Sequence, residues 1–180
     1  LYKSTDFGAS WQLVRGSISA SKDRAIGAIA IDPVNPRHIY IGTDVARHGS
    51  SSVNGGRFTP PGAPVIGLYE STNGGATFQL VFSKETDVVN PGSPNGSDFF
   101  RGGVSKILFD RTGIAANQPS IAYFSMFDYG LFRAINGSFE QVFASIGGGT
   151  VANSAGARTE FALAPLGNGK LRIYVGDTDG

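Results

Sequence analysis

Three stretches of the chain are almost wholly apolar and end in Asp or Pro. They are Ile26-Gly-Ala-Ile-Ala-Ile-Asp32, Val104-Ser-Lys-Ile-Leu-Phe-Asp110 and Thr159-Glu-Phe-Ala-Leu-Ala-Pro165. Turn-rich links follow each of them: Pro33 to Pro36, Arg111 to Pro119 and Leu166 to Lys170. Then comes a more alternating stretch centred on tyrosine: His38 to Asp44, Ile121 to Asp128 and Leu171 to Asp177. A short, continuous apolar run predicts a strand buried on both faces, and an alternating run predicts one that turns a single face to the core. Ile18 to Ala30 and Asn153 to Ala164 also allow a helical reading, but their glycines and their place in the pattern favour strand plus loop.

A longer period organises these strands. Leu1-Tyr-Lys-Ser-Thr-Asp-Phe-Gly-Ala-Ser-Trp-Gln-Leu-Val14 aligns without a gap on Leu68-Tyr-Glu-Ser-Thr-Asn-Gly-Gly-Ala-Thr-Phe-Gln-Leu-Val81. A shorter copy, Leu131-Phe-Arg-Ala-Ile-Asn-Gly-Ser-Phe-Glu-Gln-Val142, follows. Each unit therefore reads as four short strands: an apolar one, a tyrosine-centred one, the Leu-Tyr strand, and a last strand of Gln-Leu-Val type. Repeats of four antiparallel strands are the pattern of β-propeller blades. The expected architecture is all-β, a β-propeller segment of four-stranded antiparallel blades. Residues 1–17 supply strands three and four of one blade, 26–83 and 104–144 are complete blades, and 159–180 supply strands one and two of another. Closing one blade from both ends would make three, below the usual four to eight. The simpler expectation is a fragment of a larger ring of about six to eight blades, with the remaining blades as its first partners.

Composition narrows the function. Gly 26 and Pro 9 in 180 residues suit many tight turns, and exclude a helical bundle. With 41% hydrophobic and 16% charged residues the chain has apolar surface to bury, which argues against disorder. A net charge of +1 offers no basic field for nucleic acid. No apolar run is long enough to span a bilayer. Without cysteine there is no disulfide, thiol nucleophile or thiolate metal site. His38 and His48 make a poor metal pair, and Asp177-Thr-Asp179-Gly180 breaks off before the later ligands of a calcium loop. Gly147-Gly-Gly149 precedes no helix that could cradle a phosphate. No metal and no cofactor are expected.

Ser4-Thr-Asp6-Phe-Gly8-Ala-Ser10-Trp11 and Ser71-Thr-Asn73-Gly-Gly75-Ala-Thr77-Phe78 resemble the Asp-box, or BNR repeat, of pattern Ser-x-Asp-x-Gly-x-Thr-Trp. The resemblance extends through Asp32-Pro-Val-Asn-Pro36 and Ile39-Tyr-Ile-Gly-Thr-Asp44, and covers nearly the whole chain. It is to the repeats of xyloglucan-type endoglucanases and of sialidase-like and sortilin-like proteins. The box belongs on the hairpin between strands three and four, as a structural device. Ser4 and Asp6, or Ser71 and Asn73, satisfy turn N–H groups. Gly8 and Gly75 permit a left-handed backbone. Trp11 and Phe78 are expected to turn back and bury a ring between sheets.

The long connections are 46–66, 84–103 and 145–158, and all are expected on the face opposite the boxes. Loops of that length usually have a task. Candidate ligand-face residues there are Arg47, His48, Arg57, Phe99, Phe100, Arg101, Asp128, Tyr129 and Asp177. Among the resembled endoglucanases a catalytic Asp lies in a Tyr-x-x-Thr-Asp-Val-Gly-Gly setting. Tyr40-Ile-Gly-Thr-Asp44-Val45 matches its first part and departs at Ala46-Arg47. The resemblance thus implies Asp44 as one catalytic carboxylate of a pair. Sialidases also need an arginine triad and a Phe-Arg-Ile-Pro type motif, which is missing; Arg133 in Leu-Phe-Arg-Ala is a poor substitute. Two functions follow as expectations. One is a glycan- or protein-binding scaffold, extracytoplasmic by resemblance. The other is part of a glycoside hydrolase acting on polysaccharide.

Overall fold

The computed structural model describes residues 1–45, 62–84, 102–112, 119–127, 129–144 and 158–178. Twelve strands appear among them: β1 (Tyr2–Lys3), β2 (Gln12–Leu13), β3 (Arg24–Ile31), β4 (Ile39–Val45), β5 (Leu68–Ser71), β6 (Gln79–Phe82), β7 (Val104–Phe109), β8 (Ile121–Met126), β9 (Gly130–Ile135), β10 (Ser138–Phe143), β11 (Arg158–Leu166) and β12 (Lys170–Thr178). They form a two-stranded sheet β1-β2, two four-stranded sheets β3-β4-β5-β6 and β7-β8-β9-β10, and a two-stranded sheet β11-β12. Every pairing is antiparallel and sequential. Of the stretch that allowed a helical reading, only Ile18–Ser21 is a helix (α1), and Arg24 onward is strand.

Two tyrosine-centred strands pair with the strand before and the strand after, which makes each four-stranded sheet a simple meander. Tyr40 faces Ala30 on one side and Glu70 on the other; Tyr123 faces Leu108 and Arg133. Bulges at Gly27 and Ser105 give β3 and β7 one extra residue near their starts. Strand β11 runs opposite β12 without one.

The main core lies between the two four-stranded sheets. Tyr40 and Leu68 from the first meet Val104, Ile107, Phe124 and Phe132 of the second. Phe124 stacks on Phe132 with ring centroids 5.4 Å apart, and Phe82 reaches over to touch both. A second cluster joins the first ribbon to the next sheet through Val14, Ala20, Ile41, Tyr69 and Phe78. A third joins β7–β10 to β11–β12 through Tyr123, Leu131 and Phe161. Each sheet thus packs face to face on the next in chain order.

One aromatic departs from expectation. Phe78 is buried against Val14, but Trp11, its equivalent one repeat earlier, is 63% exposed. Phe78 has the preceding ribbon to cover it. Among the described residues no sheet lies on that side of β1–β2.

Candidate functional site

Antiparallel order sorts the connections to two ends of the sheets. Strands β4, β6 and β10 finish, and β5, β7 and β11 start, at one end, so the connections spanning 46–61, 85–101 and 145–157 attach there. The tight hairpins attach at the other end. Arg47, His48, Arg57, Phe99, Phe100, Arg101 and Asp128 lie outside the described residues.

Asp44 stands near the finish of β4, half-buried and opposite Ala25. Its side chain crosses over the starts of two neighbouring strands. A methyl group added to Gly27 would touch its Cβ at 3.8 Å, and one added to Gly103 would lie 2.3 Å from its Oδ1. With glycine at 103 the carboxylate lies directly against the backbone there; a side chain at that position would displace it. The base of the adjoining connection is clasped: Thr43 N–H donates to Gly67 O at 2.9 Å and Gly67 N–H donates to Thr43 Oγ1 at 3.1 Å. Gly103 O in turn accepts from Phe127 N–H.

The other two described candidates stand at the same end of their sheets, each with a partner of its own. Tyr129 donates its hydroxyl to Lys84 O at 3.4 Å and has the Lys84 ammonium 5.7 Å from its ring centroid. It therefore anchors the base of the second long connection. Asp177 Oδ1 accepts from Thr159 Oγ1 at 2.8 Å. Asp177 lies three residues beyond Tyr174, whereas Asp44 lies four beyond Tyr40. Strand side chains alternate, so the two carboxylates project to opposite faces of their sheets. Their similar sequence settings concealed this.

The opposite end carries hydrogen-bonded hairpins. Gly8 N–H donates to Ser4 Oγ at 2.8 Å, and Asp6 accepts from Ser10 N–H at 2.9 Å and from Ser10 Oγ at 2.5 Å. The second hairpin repeats the plan: Gly75 N–H donates to Ser71 Oγ at 2.9 Å and Thr77 N–H to Asn73 Oδ1 at 3.0 Å. Gly8 and Gly75 both have φ of 89°, a left-handed backbone that a side chain would strain. The hydroxyls of Ser10 and Ser4 hold the Asp6 carboxyl down at about 2. The third hairpin dispenses with the device, turning on Asn136 and Gly137 with φ of 50° and 73°, as a two-residue hairpin requires.

Sequence reasoning missed a polar cluster on the hairpin side. His38 Nδ1 lies 3.0 Å from Asp32 Oδ2 and its Nε2 2.8 Å from Glu70 Oε1. Its ring packs edge-on to Tyr40 and Phe109. Burial works against the Asp32 charge. Hydrogen bonds from Ser120, His38 and the Val34 and Asn35 amides outweigh it and keep the carboxyl below its usual range. Burial and the Glu70 charge push the Tyr40 phenol up. The signal was present: His38 lies two residues before Tyr40, whose register partner is Glu70. Both ring nitrogens are engaged, so the cluster ties the link to the sheet and offers no position to a ligand. Among the described residues no group of His, Asp and Glu could hold a metal ion.

Sheet after sheet of antiparallel strands, stacked face to face in chain order, invites comparison with solved structures. An ancestral GH74 enzyme matches over 99% of this chain with a TM-score of 0.51 and 18% identity. The fold is that of a β-propeller segment. The chain spans 22% of that enzyme's length, so the propeller blades seen here correspond to a fraction of that protein. No family model and no curated protein matches the sequence. No helix among the described residues is long and apolar enough to cross a membrane.

Proposed function

We propose that the chain is a stretch of an extracytoplasmic Asp-box propeller whose long-connection face binds a polysaccharide. The placement of Asp44 carries the reading. Its carboxylate lies against Gly103, just before the start of β7, at the end of the sheets where all three long connections attach. A propeller that carries its insertions at one end gathers its candidate ligand-binding residues there. A carboxylate and the rigid glycine backbone beside it suit the hydroxyl groups of a sugar chain. The hairpins at the other end are occupied with their own backbone, which leaves them a structural part. The likeness in fold to a glycoside hydrolase agrees with a carbohydrate ligand.

A second reading makes Asp44 one of two carboxylates that hydrolyse the polysaccharide. The Tyr40-Ile-Gly-Thr-Asp44-Val45 setting favours it, and the partner carboxylate would come from another blade. One experiment separates the two. The intact protein and its Asp44→Asn variant are assayed on soluble β-glucans for retention in affinity gels and for release of reducing ends. Retention without hydrolysis supports the binding scaffold. Hydrolysis that disappears in Asp44→Asn supports the enzyme. Neither retention nor hydrolysis by the wild-type protein removes both.

A further inference from the structure

The same dipeptide sits on two corresponding hairpins. Asn73-Gly74 lies between β5 and β6, and Asn136-Gly137 between β9 and β10. Each hairpin belongs to a complete four-stranded sheet. Asn followed by Gly is open to attack from within the chain. The glycine nitrogen, unhindered by a β-carbon, can add to the carboxamide carbon of the asparagine before it. Reaction requires both groups to be free to meet.

The first hairpin holds both groups. Gly74 N–H, which carries the attacking nitrogen, donates to Arg37 O at 2.8 Å. Asn73 Nδ2, which would leave, donates to Thr77 Oγ1 at 2.8 Å. Asn73 Oδ1 accepts from Thr77 N–H at 3.0 Å and from Ser71 Oγ at 3.0 Å. The second hairpin holds neither. Among the described residues, Gly137 N–H and the Asn136 carboxamide have no hydrogen-bond partner. Asn136, Gly137 and Ser138 are exposed, and a methyl group on Gly137 would meet nothing within 4 Å. Neighbouring sheets pack on both faces of β7–β10, so this openness belongs to the hairpin tip itself. The left-handed backbone at Asn136 must relax before attack, and an exposed tip opens locally at little cost.

We propose that Asn136 is a site of spontaneous deamidation and isomerisation, with water as co-reactant, and that Asn73 is protected from it. Gly137 N attacks Asn136 Cγ, and the bond from Cγ to Nδ2 breaks as the new C–N bond forms. The Gly137 amide proton leaves with Nδ2 as ammonia. Water then opens the cyclic imide at one carbonyl to give Asp, or at the other to give isoaspartate. Nothing is oxidised or reduced. Either product adds one negative charge and takes the formal net charge from +1 to zero. Asp is tolerated in a left-handed turn. Isoaspartate inserts a methylene into the backbone of a two-residue turn whose geometry sets the pairing of Ile135 with Ser138, so this form loosens β9–β10. The inference is independent of the polysaccharide reading.

The folded protein and the same protein in denaturant are incubated at mildly alkaline pH and digested with trypsin, which puts each Asn-Gly pair on a peptide of its own. Chromatography and mass spectrometry follow the peptides. In denaturant the Asn73 and Asn136 peptides are expected to react at similar rates. In the folded protein Asn136 is expected to react about tenfold faster than Asn73 or more, because each hydrogen bond adds to the cost of opening. Thr77→Ala, at an exposed position, removes the acceptor of Asn73 Nδ2 and is expected to speed reaction at Asn73 and leave Asn136 unchanged. Asn136→Asp is expected to co-elute on ion exchange with the Asp form of the aged protein. Equal rates at the two sites in the folded protein overturn the proposal. An Asn136 peptide that stays intact in the folded protein while the denatured chain reacts also overturns it. So does a Thr77→Ala variant, folded by circular dichroism, in which Asn73 reacts no faster.

Discussion

Val104 lies on Gly42: a β-carbon at residue 42 would sit 2.5 Å from Val104 Cγ1 and 2.6 Å from its Cβ. The first strand of the second four-stranded sheet therefore uses the missing side chain in β4 as its seat. Gly42→Ala should force the sheets apart, at a cost of about 1–3 kcal/mol. Gly176→Ala fills open space and should leave the stability of the single chain within about 0.5 kcal/mol of wild type. Urea midpoints of the two variants check this; equal losses would contradict it.

The two hydrogen-bonded hairpins differ in acid. The Asp6 carboxyl is held at about 2 in the folded chain against an ordinary 3.8. A depressed value means that its contribution is full above the ordinary value and fades as pH falls through about 2. Asp6→Asn should flatten that part of the stability profile between pH 4 and 2, within the ranges just cited. Asn73 already carries the neutral group, so Asn73→Asp should introduce the same dependence. Thermal midpoints across that window report both.

Asp32 is 3% exposed and serves the Val34 and Asn35 amides as well as His38. Asp32→Ala strips those donors of their buried acceptor and should cost about 1–3 kcal/mol. The Asp32 carboxyl is also held below its usual range, so its contribution is present above that range and is lost as pH falls through the lower folded value. Asp32→Asn should therefore lose less at pH 3 than at pH 7. Denaturant titrations at the two pH values measure the difference.

Phe124 is fully buried amid Phe82, Phe132 and Phe139. Phe124→Ala should cost about 3–5 kcal/mol, as large cavities in aromatic cores do. Leu80→Ala, at a position 41% exposed, should cost far less. Equilibrium unfolding of the two variants ranks them.

Much of this was legible along the chain. The apolar runs, the tyrosine-centred strands and the Asn-Gly turns were visible because strand alternation and turn chemistry are local. Ser4, Asp6 and Gly8 could be placed on a hairpin for the same reason. Trp11 could not. Its burial depends on a neighbouring sheet, and the local motif is identical whether that sheet is there or absent. The aspartates were harder still. Asp44 and Asp177 end similar strands, but one residue of offset turns them to opposite faces. The His38 cluster escaped notice because Asp32, His38 and Glu70 belong to a link and two strands that only pairing brings together.

The amino-acid sequence by itself determined the order of strands, the four-strand period and the hairpins, since each depends on residues within a few positions of one another. Tertiary structure decided which faces are covered, how Gly42 and Gly103 admit their neighbours, and where each carboxylate points. Those outcomes depend on register and on the approach of one sheet to the next. Both are set by the sum of many side-chain contacts rather than by any one segment.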